Sequence, residues 1–278
     1  MKIRNVTLVP PDDEGYRAHQ ARHAQANQKL RDTLDPGPLQ KLSHPVEELL
    51  RQWLGQRVPL SPRRILRYER LSRDNSYTTY YKEIDAVEVT NDDTDDEASS
   101  SPRPKRLFEF KCSSNPGALS EAGTQLDRAV QAMATRWDRR HLYRHAVLVA
   151  VVPALMDLPH EPRPLASFDA SVPAEAPAEE WLTTCLPADE LWAWGQSEDV
   201  LDAPADLLGD AQAKARETTS RRQRREALKE QGVPREEWPD DLHTEPRETP
   251  ETETATFGDE EDESPMARAL REAMDDDE

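Results

Sequence analysis

The sequence predicts a mixed α/β protein whose core elements follow in the order αβββαβ. Three segments rich in β-branched and aromatic residues, 65–71, 77–90 and 105–112, lie between two stretches with helical apolar stripes, 43–54 and 118–139. An almost unbroken aliphatic run at 144–152 then has the composition of a central strand covered on both faces. This order favours a mixed central sheet flanked by helices, followed by a helical and disordered acidic C-terminal tail.

Composition separates a folded part from a loose acidic part. The 278 residues carry a net charge of −19, and 23 of them are prolines. Residues 1–150 hold 24 Lys and Arg against 21 Asp and Glu, whereas residues 151–278 hold 12 against 34. The acidity therefore belongs to the second half, and it does not exclude a polyanionic partner such as DNA for the first half.

The compartment is predicted from cysteine use and apolar runs. Cys112 and Cys185 provide neither a disulfide framework nor a metal-binding spacing. The N-terminal residues lack the apolar run of a signal peptide, and the longest apolar stretch, 146–156, is far shorter than the roughly 20 residues of a membrane helix. We therefore expect a soluble, cytoplasmic protein with no membrane partner.

Five segments are expected along the chain. They are an N-terminal extension (1–42) with a short strand at 2–9 and a polar helix at 16–34, an α/β core (43–170), a linker with short capping helices (171–203), a charged helix (204–238) and an acidic disordered tail (239–278) that ends in a short helix. Within the core, 91–104 is expected to be a mobile acidic loop, and 165–170 to add an edge strand.

The first core helix places one glutamate near the core. With Ser43 as its N-cap, the apolar stripe of this helix passes beside Glu47, and Glu48 falls nearly opposite to the stripe. Glu47 is therefore expected to reach inward, and Glu48 to be solvated. The alternative is that both are helix-start glutamates favoured by the helix dipole.

Charged residues interrupt the apolar pattern of two predicted strands. Asp85 lies within an otherwise apolar segment, 84–87. Glu109 and Lys111 are two residues apart, so they share one face of their strand while Phe110 points to the other. Because buried strands rarely hold charged groups without a ligand, these three side chains are candidates for one site.

The residue types at this candidate site are those that metal-assisted phosphodiester hydrolysis uses. Carboxylates such as Asp85 and Glu109 are the hard oxygen ligands that Mg²⁺ prefers, and a bound divalent metal gathers a phosphate and activates a water. Lys111 can orient or deprotonate that water, or offset charge on the phosphate. Gln125 lies at one edge of the next helix's stripe, beside the site. The alternative is a set of cross-strand ion pairs on a solvated sheet face.

Asp85 followed by Glu109-Phe110-Lys111, in this order of elements, resembles the PD-(D/E)xK nuclease superfamily over about residues 43–152. The resemblance implies a restriction-endonuclease-like αβββαβ core. It also implies that Asp85 and Glu109 bind Mg²⁺ or Mn²⁺ and that Lys111 acts on the water.

Further matches to this superfamily are a helix glutamate and a glutamine. Many members carry both, and they correspond here to Glu47, as a metal ligand, and to Gln125. The sequence also departs from the common pattern. Ile84 takes the place of the proline that often precedes the aspartate, and Ala129 replaces the tyrosine of the Gln-x-x-x-Tyr variant.

Two functions are expected on these grounds. The first is a metal-dependent nuclease that hydrolyses DNA within a processing, repair or defence system. The second is a catalytically idle adaptor that binds a protein partner through its acidic tail, where Met266, Leu270 and Met274 recur every four residues. The basic cluster 221–225 in the charged helix is either a further phosphate contact or a solvated helix face.

Overall fold

A computed structural model describes residues 2–26, 36–72, 75–90, 103–115, 117–156, 158, 161–168 and 181–243. Within these residues the chain is a mixed α/β protein, as the sequence predicts. The strands are β1 (Ile3–Val9), β2 (Ile65–Leu71), β3 (Tyr77–Glu83), β4 (Ala86–Thr90), β5 (Arg103–Ser113), β6 (Tyr143–Ala150) and β7 (Trp181–Pro187). The helices are α1 (Glu14–Ala26), α2 (Pro38–Gly55), α3 (Ala118–Met133), α4 (Ala188–Ser197), α5 (Leu207–Glu230) and α6 (Asp240–His243).

The described strands form two sheets. The first is antiparallel with the order β1-β2-β3, so that the predicted N-terminal strand is confirmed and pairs with β2. The second has the order β4-β5-β6-β7, in which β4 is antiparallel to β5 and the other pairs are parallel. The second sheet is mixed, as the sequence predicts for the central sheet, whereas the separate first sheet was not predicted.

The second sheet is covered on both faces. On one face, α2 packs against β5 and against α4 and α5 through an apolar core that includes Trp53, Phe108 and Phe110. On the other face, α3 packs against β5 and β6, and its core residues also contact apolar side chains of the first sheet. The predicted central strand at 144–152 is β6, which has parallel neighbours on both sides and is buried from Arg144 onward.

The predicted second strand of the core, 77–90, is broken in the structure. Residues 77–83 belong to the first sheet as β3, and residues 86–90 belong to the second sheet as β4. The break falls at Ile84 and Asp85, where the amide of Ile84 still donates to the carbonyl of Arg64. The segment that the sequence pattern predicts as one strand thus forms two strands, one in each sheet.

The edge strand of the second sheet is β7, at 181–187, where the sequence analysis expected short helical pieces. Within 165–170, where an edge strand was expected, residues 165–167 form a single helical turn. Trp181 and Leu182 suit a helix as well as a strand, so the choice depends on β6, whose backbone is available for parallel pairing along the whole segment. Local sequence cannot show this neighbour.

Two helix boundaries also differ from the predictions. Helix α2 begins at Pro38, and the Ser43 hydroxyl is 3.3 Å from the carbonyl of Leu39 inside the helix, so Ser43 is not its N-cap. Helix α3 ends at Met133, and a separate turn follows at Arg139–His141. In the predicted charged segment, 204–238, α5 runs over Leu207–Glu230.

Several predictions fall outside the described residues. These are the acidic loop at 91–102, the end of the polar helix at 27–34, the Pro-Ala-Glu linker at 172–180, most of the acidic tail and its terminal helix. Within the described residues, no helix combines the length and the apolar character needed to cross a membrane.

Replacing Gly123 with alanine is expected to destabilise the protein by about 1–3 kcal/mol. Gly123 is buried in α3, and a Cβ atom there would overlap the indole ring of Trp181 in β7. Gly209 in α5 is the matched control, because a Cβ there meets nothing within 4 Å. Gly209→Ala should be neutral or stabilising by at most about 1 kcal/mol. Urea unfolding measures both, and equal effects would contradict the packing described here.

Candidate active site

The break between the two sheets positions Asp85. Its side chain accepts a 2.6 Å hydrogen bond at Oδ2 from the backbone N–H of Phe110 in β5. Its own carbonyl oxygen accepts a 2.8 Å bond from Nε of Arg51 in α2. Asp85 is 5% exposed, so the carboxyl group is fixed in the interior between β4, β5 and α2.

Strand β5 places its charged residues as alternation predicts. Phe108 and Phe110 lie in the core beneath α2, and Glu109 and Lys111 lie on the other face, toward α3. The ammonium group of Lys111 donates to Glu109 Oε1 at 3.3 Å and to Gln125 Oε1 at 3.0 Å. The structure therefore brings together Glu109, Lys111 and Gln125, as the sequence analysis expected.

Glu47 and Glu48 also take the sides of α2 expected for them. Glu47 is half-buried and lies within electrostatic reach of Asp85 and Lys111. Glu48 keeps 45% of its side chain exposed and pairs with Arg51. Of the two, only Glu47 therefore belongs to the site.

Burial dominates the electrostatics of the two central carboxyl groups. Burial raises the pKa of Asp85, and the backbone N–H of Phe110 and the charges of Lys111 and Arg51 oppose the increase without cancelling it. Burial and the charge of Asp85 raise the pKa of Glu109 well above its ordinary value, against the pull of Lys111. Both groups are thus more easily protonated than ordinary carboxyl groups.

The pKa values of Glu47 and Lys111 also shift upward. Burial, helped by the charge of Asp85, raises the pKa of Glu47 to about 8. Burial lowers the pKa of Lys111, but the charges of Glu109 and Asp85 and the bond to Glu109 outweigh it, so that its pKa lies above the ordinary value. Lys111 is therefore an ammonium ion at neutral pH.

Three charged residues around the site were missed by the sequence analysis. Lys82 in β3 is 8% exposed, and its charge lowers the pKa of Glu109. Arg51 donates a hydrogen bond to the backbone carbonyl of Asp85, and Glu83 lies two residues before Asp85. The neighbours of Lys82 on its face of β3, Thr78 and Tyr80, are exposed and half-buried, so no apolar pattern in the sequence marks Lys82.

The carboxylates of Asp85 and Glu109 suit a hard divalent cation, but they do not form a complete coordination shell. Among the described residues, no three His, Cys, Asp or Glu side chains form a group that could hold a metal ion. Asp85 and Glu109 nevertheless supply two buried carboxylates whose ionised forms lack sufficient compensation, as their raised pKa values show. Magnesium keeps several waters, so two carboxylates and a carbonyl oxygen can hold it. In donor chemistry, the residues fit Mg²⁺ or Mn²⁺.

The burial of Asp85 and Glu109 argues against the alternative of a solvated sheet face. Asp85 and Glu109 are 5% and 4% exposed, so this face is not solvated at the site. Ion pairs buried to this extent rarely add stability by themselves, because desolvation offsets the attraction between the charges.

The arginines of α5 have partners within the chain. Arg221 pairs with Glu217, Arg222 with Glu226, and Arg224 with Asp241. The guanidinium group of Arg225 donates twice to the carbonyl of Leu242. These contacts favour the interpretation of the cluster as a solvated helix face that also anchors α6.

Raising the pH from 5 to 8 is expected to lower the free energy of unfolding of the metal-free protein. The pKa of Glu47 is about 8 in the fold and 4.5 ordinarily, so the folded protein keeps a proton that the unfolded chain releases. The stability that this proton contributes is fully present below pH 4.5 and is lost as the pH rises through about 8.

Glu47→Gln, which stays neutral, should reduce this pH dependence and stabilise the protein at pH 8 by roughly 1–3 kcal/mol. Urea unfolding in the presence of a chelator measures the slope with pH. Glu48→Gln, at the exposed neighbour, is the control. An identical slope in wild type and Glu47→Gln would contradict the inward position of Glu47.

Comparisons with known proteins identify no family: no family model, no curated protein and no solved structure matches the chain.

Proposed function

We propose that the protein is a metal-dependent nuclease that hydrolyses DNA phosphodiester bonds on a restriction-endonuclease-like core. The observation that carries this proposal is the convergence of Asp85, from the break between two sheets, with Glu109 and Lys111 from β5 in one buried place. The order of elements supports it. From α2 to β6 the chain runs α, β2, β3 with β4, β5, α3, β6, which is αβββαβ when the broken strand counts once.

Each side chain has a role in this chemistry. Asp85 and Glu109 would hold Mg²⁺ or Mn²⁺, with Glu47 at the edge of the site, and the ion would supply positive charge to the phosphate and a more acidic water. Arg51 fixes the backbone of Asp85, and the amide of Phe110 fixes its carboxyl group. Gln125 holds the ammonium group of Lys111 beside Glu109.

The protonation state of Lys111 decides which role it can take in catalysis. Because its pKa lies above the ordinary value, it is a poor base in the metal-free protein. Its ammonium group is well suited to orient a water or to offset negative charge that develops on the phosphate. We therefore assign Lys111 to charge stabilisation and to orientation of the water.

Calorimetric titration of Mg²⁺ and Mn²⁺ tests the proposal without a choice of substrate. Wild type is expected to bind the ion, and Asp85→Ala is expected to lose at least about 10-fold in affinity because a buried ligand is gone. Cleavage of plasmid, linear duplex and single-stranded DNA is measured in parallel. Wild type that binds neither ion, or that cleaves no DNA when loaded, would contradict the proposal.

A second candidate function is a catalytically idle adaptor with the same fold. The observation that favours it is the number of cations around the carboxyl groups: Lys111 and Lys82 act on Glu109, and Arg51 acts on Asp85. Such a site is partly balanced without a metal. In this function the acidic tail, with Met266, Leu270 and Met274, would bind a protein partner. Removal of residues 244–278 would then abolish partner binding without lowering the melting temperature.

A further inference from the structure

Glu83, the last residue of β3, is held by two residues from other parts of the chain. Its Oε2 accepts a 2.8 Å hydrogen bond from the hydroxyl of Tyr16 in α1, and its Oε1 pairs with the guanidinium group of Arg64. Tyr16 is 6% exposed, and Gln20, one helical turn later, donates to its hydroxyl at 2.7 Å. Both carboxylate oxygens of Glu83 are therefore engaged, and the orientation of the group is fixed.

Glu83 lies at the end of the strand that leads into Asp85. It precedes Asp85 by two residues, at the point where the chain leaves the first sheet. Besides burial, its charge contributes to the raised pKa values of Glu47 and Asp85, so it lies within electrostatic reach of both. It completes no three-carboxylate group among the described residues. Its position is thus beside the candidate ligands and not among them.

We propose that Glu83 is a positioning residue that orients the water shell of the divalent cation, and that α1 sets its direction through Tyr16. This inference rests on the proposed function, because it takes Asp85 and Glu109 as the ligands of the cation. Magnesium retains several of its waters in protein sites. A carboxylate in a fixed second layer accepts hydrogen bonds from such waters and tunes the affinity for the ion.

The N-terminal helix gains a role by this inference. Tyr16 and Gln20 are about 65 residues from Glu83 in sequence, yet they form one chain of hydrogen bonds that ends beside the site. The ring of Tyr16 also packs against Tyr81 in β3, with 5.8 Å between centroids. Residues 14–26 thus act on the site through Glu83 and do not contact the cation themselves.

Calorimetric titration of Mn²⁺ into the full chain tests this role. Glu83→Gln is expected to weaken Mn²⁺ binding by about 10-fold or more, and Tyr16→Phe by about 3-fold, since it frees one carboxylate oxygen only. Glu69→Gln is the matched control. Glu69 lies in β2 and accepts bonds from Arg4 at 2.7 Å and Asn5 at 3.0 Å; its side chain is 27% exposed, close to the 29% of Glu83, but it has no place in the site.

Melting temperatures measured without metal distinguish a role of Glu83 in metal binding from a role in stabilising the fold. If Glu83 only anchors Arg64, Glu83→Gln lowers the melting temperature and leaves the Mn²⁺ affinity of the folded protein unchanged, which overturns the inference but not the proposed function. Wild type that binds neither Mn²⁺ nor Mg²⁺ overturns both. Mn²⁺ binding that depends on Glu83 in a protein that cleaves no DNA supports the inference and overturns the proposed function alone.

Discussion

Replacement of Lys111 with alanine is expected to reduce Mg²⁺-dependent DNA cleavage by at least about 100-fold while Mg²⁺ binding is retained. The ammonium group is 3.3 Å from Glu109 Oε1 and carries a positive charge at neutral pH. Its removal takes away charge stabilisation for the phosphate. It also removes a cation that competes with the metal, so Mg²⁺ affinity should be equal to that of wild type or higher.

Cleavage rates and calorimetric affinities, measured on the same preparations, check this separation of binding from chemistry. Lys105→Ala is the matched control, because Lys105 is on the same strand, pairs with Glu88 and keeps 38% of its side chain exposed. It should leave both quantities unchanged. Cleavage by Lys111→Ala within a few-fold of the wild-type rate would remove Lys111 from the mechanism.

Glu88→Gln is expected to destabilise the protein by roughly 3–5 kcal/mol. Glu88 in β4 accepts a 2.6 Å bond from Nε of Arg106 in β5, and Arg106 is fully buried. Arg106 also lies over the ring of Phe108, with 4.7 Å between the guanidinium carbon and the ring centroid. Neutralising Glu88 leaves a buried guanidinium ion without the carboxylate that compensates it.

Urea unfolding of three variants isolates this buried pair. Lys105→Met removes the exposed partner of the same carboxylate and should cost less than about 1 kcal/mol. The double variant Glu88→Leu with Arg106→Met removes both buried charges and should recover much of the loss. A loss in Glu88→Gln no greater than in Lys105→Met would show that the buried pair does not stabilise the fold.

Alternation along single strands made much of the site predictable. The period of two placed Glu109 and Lys111 on one face and Phe110 on the other, and the apolar stripe of α2 placed Glu47 inward. The direction in which these side chains point depends on the geometry of a single strand or helix, so the sequence alone can predict it. Gln125 was expected at an edge of the next helix, beside the site, and there it contacts Lys111.

Features that depend on a distant partner were not predictable in the same way. The break at Asp85 depends on two sheets that pair separately, and the sequence of 77–90 is a good strand throughout. β7 requires the free edge of β6, and Tyr16 reaches Glu83 across 67 positions of the chain. In each case the decisive neighbour is remote in sequence, so composition and periodicity do not reveal it.

The connection between β3 and β4 has a mechanical consequence. Ile84 and Asp85 are the covalent joint between the two sheets, and the partner of Asp85, Phe110, belongs to the second sheet alone. A change in the angle between the sheets would therefore move Lys82 and Glu83, at the end of β3, relative to Asp85 and Glu109, which stay together in the second sheet. The electrostatic surroundings of the two candidate ligands thus depend on the relative orientation of the two sheets.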